Sequence, residues 1–128
     1  MLRRLVLTLL VPALLALGVP ALALGVGDSV MAEWPENRCW YHGVIREVRG
    51  SEFQVHFDDG DSAVLADDKV RADRIRIGHR VWGRWQQGSQ TYRGMIVQRD
   101  DEKIFIQYDD GDSEWSTMEF ICVEAGDL

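Results

Sequence analysis

The sequence is poor in the residues from which metal centres and nucleophilic sites are built. It holds only two cysteines and three histidines in 128 residues, at no spacing that resembles a Cys/His ligand set. The run Asp58-Asp59-Gly60-Asp61 lacks the alternating ligand order and distal Glu of a calcium loop, so it reads as a hairpin turn. Cys39 and His42, three residues apart at a strand start, point in different directions and form no nucleophile–base pair. No catalytic set and no cofactor site is expected. Positive charge is also scarce: 14 Lys and Arg stand against 21 Asp and Glu, a net charge of −7. That balance argues against a general nucleic-acid binder, because phosphate contacts need positive surface, and it favours cationic ligands.

Long apolar runs are absent except at the N-terminus. Arg3 and Arg4 precede Leu5–Val26, a stretch of 22 residues without a charge. Ala21-Leu22-Ala23 supplies the small-x-small pattern of a signal-peptidase site. The run is just long enough to span a bilayer, but Pro12 and Pro20 interrupt it, and no cysteine near Ala23 offers a lipid anchor. The expectation is a signal peptide over residues 1–23, cleavage after Ala23 and a secreted or periplasmic protein. A membrane enters only if the segment is retained. Without residues 1–23 the chain has 105 residues and a net charge of −9, enough for one ordinary core or two very small ones. In an exported protein Cys39 and Cys122 can persist as a disulfide. They sit at non-equivalent places in the two halves, and both two half-buried thiols and a bridge tying the halves together fit the sequence.

The rest is a repeat. Shifting the chain by 51 residues aligns 26–72 with 77–123 without gaps, giving 11 identities in 47 positions. They fall on aromatics, glycines and one block: Trp34 meets Trp85, Tyr41 meets Tyr92, Gly43 meets Gly94, and Asp58–Ser62 meets Asp109–Ser113. A gapless period of this kind means two copies of one small domain. The expected organisation is a first copy over 24–72, a short linker over 73–76, a second copy over 77–123 and a tail over 124–128. So short a linker makes the copies touch.

Within each copy the local signals are β. Alternation predicts strands at 29–34, 41–48, 52–57 and 62–65, and again at 80–85, 92–98, 103–108 and 113–116. Gly43 is expected to let the second strand bend sharply. Asp59-Gly60 is expected as a tight turn with both residues at positive φ. Residues 67–70 and 117–121 suit a single helical or 3₁₀ turn before a last short strand. The fold class that follows is all-β, two tandem SH3-like small barrels of five strands each.

Val26–Trp34, Trp40–Ile45 and Val55–Gly60 together resemble the Tudor domain. Ile77–Trp85, Tyr92–Ile96 and Ile106–Gly111 are similar to a second one, so the resemblance covers the whole chain after residue 23. It implies an aromatic cage for methylated lysine or arginine: Trp34, Tyr41 and Phe57 with Asp59 at the rim, and Trp85, Tyr92 and Tyr108 with Asp110. Ring faces attract a methylammonium by roughly 0.5–2 kcal/mol per good contact, and a carboxylate adds Coulomb attraction. Many Tudor cages carry a further aromatic after the hairpin glycine, where this chain has Asp61 and Asp112. The resemblance therefore implies three rings and an extra negative charge per site. The partner expected is a cationic or methylated peptide or protein.

Two other readings belong beside this one. In one, the aromatics serve packing alone, in a protein–protein interaction or structural module; Trp40, Trp82 and Trp115, unmatched between copies, suit the interface between them. The three histidines, also unmatched, suit solvated strand positions. Finally, Lys69, Arg71, Arg74, Arg76, Arg80 and Arg84 form a basic band with a single acid, Asp73. Such a band suits either an anionic polymer or pairing with the acidic turns to hold the barrels together.

Overall fold

A computed structural model describes residues 23–128; the signal segment expected over 1–23 lies, Ala23 apart, outside the described residues. Strands β1 (Ser29–Glu33), β2 (Trp40–Arg49), β3 (Glu52–Phe57), β4 (Ser62–Ala66) and β5 (Val70–Ala72) form one antiparallel sheet in the order β4-β3-β2-β1-β5. Strands β6 (Arg80–Arg84), β7 (Thr91–Asp100), β8 (Lys103–Tyr108), β9 (Ser113–Thr117) and β10 (Ile121–Cys122) form a second sheet in the equivalent order. Single 3₁₀ turns at Asp67–Lys69 and Met118–Phe120 lead into the last strand of each copy. The described residues are all-β, two five-stranded SH3-like barrels in tandem. Alternation decides which residues go inside: Phe53, Val55 and Phe57 on β3, and Ile104, Ile106 and Tyr108 on β8, are all buried.

Two local expectations need correction. Only Gly60, and not Asp59, has positive φ at the first acidic hairpin. The Gly60 amide donates to the Phe57 carbonyl and the Phe57 amide to the Asp61 carbonyl, so three residues form the loop and the glycine closes it as a bulge. The aspartates are thereby released from the turn's strained position. The irregularity in β2 lies between Ile45 and Glu47 rather than at Gly43. Gly43 is needed for close approach: a Cβ there would stand 2.6 Å from the His56 carbonyl oxygen.

The copies are joined through the outer face of the first barrel. Met31 and Trp40 point away from their own barrel's interior and are buried in the second apolar cluster with Val81, Ile96, Ile106, Met118 and Ile121. The Trp40 and Val123 backbones exchange hydrogen bonds of 2.8 and 2.9 Å, and beside them Cys39 and Cys122 form a disulfide. Ile75, in the connecting segment, is buried in the same cluster. Trp40 thus lies in the interface, and Trp82 lies at the seam. Trp115 does not: it is 54% exposed and packs edge-on against Phe105 on the outer face of the second barrel. On β9 its neighbour Ser116 points inward, and a pleated strand puts adjacent residues on opposite faces.

Candidate functional site

The first ring set stands at the end of the first barrel. Phe57, the last residue of β3, is buried and forms the floor. Trp34, just beyond β1, meets it edge-on at 5.4 Å and 86°; Tyr41, on β2, meets it at 6.5 Å and 90°. Perpendicular rings on three sides of one space present faces to whatever enters it. Short contacts hold the walls. Asn37 donates from Nδ2 to the Tyr41 hydroxyl at 2.8 Å and accepts from the Cys39 amide at 3.0 Å. The Trp34 amide donates to the Cys39 carbonyl, so the disulfide anchors the loop that carries the Trp34 ring.

A cavity of about 210 Å³ opens between these rings and the second barrel. Asp58, Asp59 and Asp61 line it on the first barrel's side, and Trp82, Arg84, Thr91, Glu119, Phe120 and Ile121 on the other. Asp59 and Asp61 make no ion pair among the described residues; Asp59 only accepts the Asp61 amide, at 3.0 Å. Trp34, Tyr41, Phe57 and Asp59 are therefore brought together around one cavity. The contribution of the second barrel was not foreseen, because no period or motif shows which loop faces which across a domain seam. The one signal was the unmatched Trp82.

The second ring set has the same frame and a different filling. Trp85 and Tyr92 meet Tyr108 edge-on at 5.7 and 6.4 Å. The Tyr108 hydroxyl donates to Glu114 at 2.6 Å, and the Gln86 amide donates to the same carboxylate at 3.0 Å. Burial and the neighbouring Glu114 push the Tyr108 phenol well above its ordinary value. Gly83 makes room for that hydroxyl, since a Cβ there would lie 2.7 Å from it. In the hairpin below, Asp110 accepts the Asp112 amide, while Asp109 pairs in bidentate fashion with Arg80 at 2.8 and 2.7 Å. The Glu114 carboxylate is thus engaged with the protein's own donors.

His42 corrects another expectation: it is 3% exposed rather than solvated. Its Nδ1 lies 2.6 Å from Asp58 and 3.5 Å from Glu102, and its Nε2 lies 2.7 Å from Ser29 and 3.2 Å from Asp73. Asp73 in turn accepts two hydrogen bonds from Arg99 at 2.9 and 2.7 Å. Burial opposes the imidazolium, but hydrogen bonds to Asp58 and Asp73 outweigh it and raise the histidine to about 9. Desolvation likewise opposes the Asp73 carboxylate, yet His42 and Arg99 hold it well below its usual range. The Ser29–His42–Asp58 order resembles a hydrolytic triad, but an imidazolium donates instead of accepting, and Ser29 directs its own proton to Asp73. The cluster works as a charged latch between the barrels. His42, Asp58 and Glu102 also offer three atoms of metal-ligand type within 4.8 Å of one another, grouped by the fold and not by spacing in the chain.

The basic band is divided. Lys69 lies 3.6 Å from Glu33, Arg80 holds Asp109, Arg71 stacks over Trp40 at 4.9 Å, and Arg84 stacks over Phe120 at 4.8 Å. The ion pairs that cross between barrels use Arg99 and His42 as their cations, both outside the band.

No family model matches the sequence, and no curated protein matches it. Among solved structures the chain is similar to the AGD34 segment of Arabidopsis thaliana AGDP1, at 13% identity and a TM-score of 0.43, with 79% of this chain and 82% of that chain covered. It is also similar to tandem Agenet domain 3-4 of ADCP1, at 11% identity and a TM-score of 0.39, with 79% and 80% covered.

Proposed function

We propose that this chain is an exported, non-enzymatic binding module that takes a cationic group of a peptide, methylated Lys or Arg among them, into the ring set of the first barrel. The observation that carries this reading is the open cavity bounded by Trp34, Tyr41 and Phe57 with three aspartates on its edge. Methylated ammonium groups are weakly hydrated and still charged, so aromatic faces and unpaired carboxylates favour them together. The second ring set is not assigned this role, because Glu114 is already bonded within it. Export is supported by the N-terminal pattern and by the Cys39–Cys122 disulfide, a bond that persists in oxidising compartments.

The test is a titration of intrinsic tryptophan fluorescence with peptides carrying trimethyl-lysine, dimethyl-arginine or the unmodified residue. Saturable change that prefers the methylated peptides and disappears in Trp34→Ala, with circular dichroism unchanged, is the expected result. Absence of any change at millimolar peptide in a folded protein overturns the reading and leaves a packing role for the rings.

A further inference from the structure

We infer that Arg84 is an anion subsite, so that the ligand of the first ring set carries a carboxylate close to its cationic group. The inference rests on the cationic reading above and adds a specificity to it. Arg84 ends β6 and lines the cavity from the second barrel, opposite the three rings and the aspartates. Its guanidinium lies over the Phe120 ring at 4.8 Å and makes no hydrogen bond or ion pair among the described residues. Arg71, over Trp40, is likewise stacked and without a carboxylate, but of the two only Arg84 lines this cavity, and four other arginines of the chain are paired. Arg49, Arg80, Arg93 and Arg99 each hold at least one carboxylate. Arg84 is half-buried and has Glu119 on the same cavity wall, yet the two form no pair.

A guanidinium fixed by stacking, with its N–H donors unused, is prepared for the bidentate geometry of a carboxylate. The cavity is thus acidic beside the rings, while its facing wall offers the unused donors of Arg84 alongside the Glu119 carboxylate. A purely cationic ligand would cover Arg84 without giving its donors a partner, which is unfavourable. A ligand with both charges satisfies both walls. The carboxylate can come from an acidic side chain next to the methylated residue or from a free C-terminus on it, and the chemistry at Arg84 is the same.

The experiment compares three trimethyl-lysine peptides on the disulfide-bonded protein by calorimetry: one with a neighbouring Glu, one with Gln in its place, and one ending in trimethyl-lysine with a free carboxylate. Each is measured on wild type, Arg84→Gln, Arg84→Lys and Trp34→Ala. At least one carboxylate peptide should bind about tenfold tighter than the Gln peptide, and which one does so identifies the source. Arg84→Gln should erase that advantage while leaving the Gln peptide within about twofold, and Arg84→Lys should restore part of it. Equal affinity of all three peptides for wild type, with binding still lost in Trp34→Ala, overturns the anion subsite and spares the ring site. An advantage that survives Arg84→Gln also overturns it. Loss of all binding to wild type removes both readings.

Discussion

The two barrels have one plan and opposite outcomes at the same end. In the first, Ala32, Phe57 and Ala63 occupy the places that Gly83, Tyr108 and Glu114 hold in the second. The changes are coupled. Phe57 brings no polar atom, and its space stays open to the cavity; Tyr108 adds a hydroxyl, Gly83 gives way to it, and Glu114 receives it. A second contrast runs through the outer faces. Met31 and Trp40 are buried between the barrels, whereas their counterparts Trp82 and Thr91 line the cavity. The copies therefore share a frame, and residue differences within each barrel together with the contact between them make the two ends unequal.

The largest expected effect tests that contact. Replacing Cys39 and Cys122 by Ser opens a cross-link spanning 83 residues, which on the chain-entropy account removes about 4–5 kcal/mol. The melting temperature should fall, and affinity for a methylated peptide with it, since the Trp34 loop loses its anchor; thermal unfolding and titration read both. Trp40→Ala should cost about 3–5 kcal/mol in chemical denaturation, while Thr91→Ala, at the equivalent but exposed position, should change stability by less than about 0.5 kcal/mol. Comparable costs at the two sites would mean that the outer faces are not unequal in the way described.

A pH series sharpens the comparison at His42, whose counterpart is Arg93. The folded protein binds the His42 proton more tightly than the unfolded chain, with a value of about 9 against the usual 6.5. The stability it contributes is complete below about pH 6.5 and is lost as pH rises through about 9. Denaturant midpoints should therefore fall across that window in wild type and stay flatter in His42→Gln.

The smallest effects concern the ring sets. Trp34→Ala should weaken binding of a trimethyl-lysine peptide at least tenfold and Trp85→Ala by less than twofold, as read by calorimetry; equal losses would show that both ends bind. Phe57→Tyr should cost about 1–3 kcal/mol, because the new hydroxyl meets Ala32 where the second barrel has glycine. Tyr108→Phe should cost about 1 kcal/mol by removing one of the two donors to Glu114, the Gln86 amide remaining.

Much of this is legible in the sequence. The 51-residue period and the alternation at Phe53-Val55-Phe57 and Ile104-Ile106-Tyr108 set the strands, and the position of the rings at strand ends followed from them. These are short-range properties, and pleat and turn chemistry act within a few residues. His42 was misplaced because Asp73 and Glu102, which hold it inside, lie 31 and 60 residues away in the chain. Trp115 was misplaced because which outer face meets the other copy depends on how the barrels dock, and its own is left exposed. The bridge between Cys39 and Cys122 was one of two open alternatives. The sequence by itself thus determined two barrels, their strands and the rings of each end, because those depend on local periodicity. That the second barrel walls the first ring set, that Arg84 faces it, and that a buried His42 carries charge were decided by tertiary structure, since each depends on how two copies offset by 51 residues meet in space.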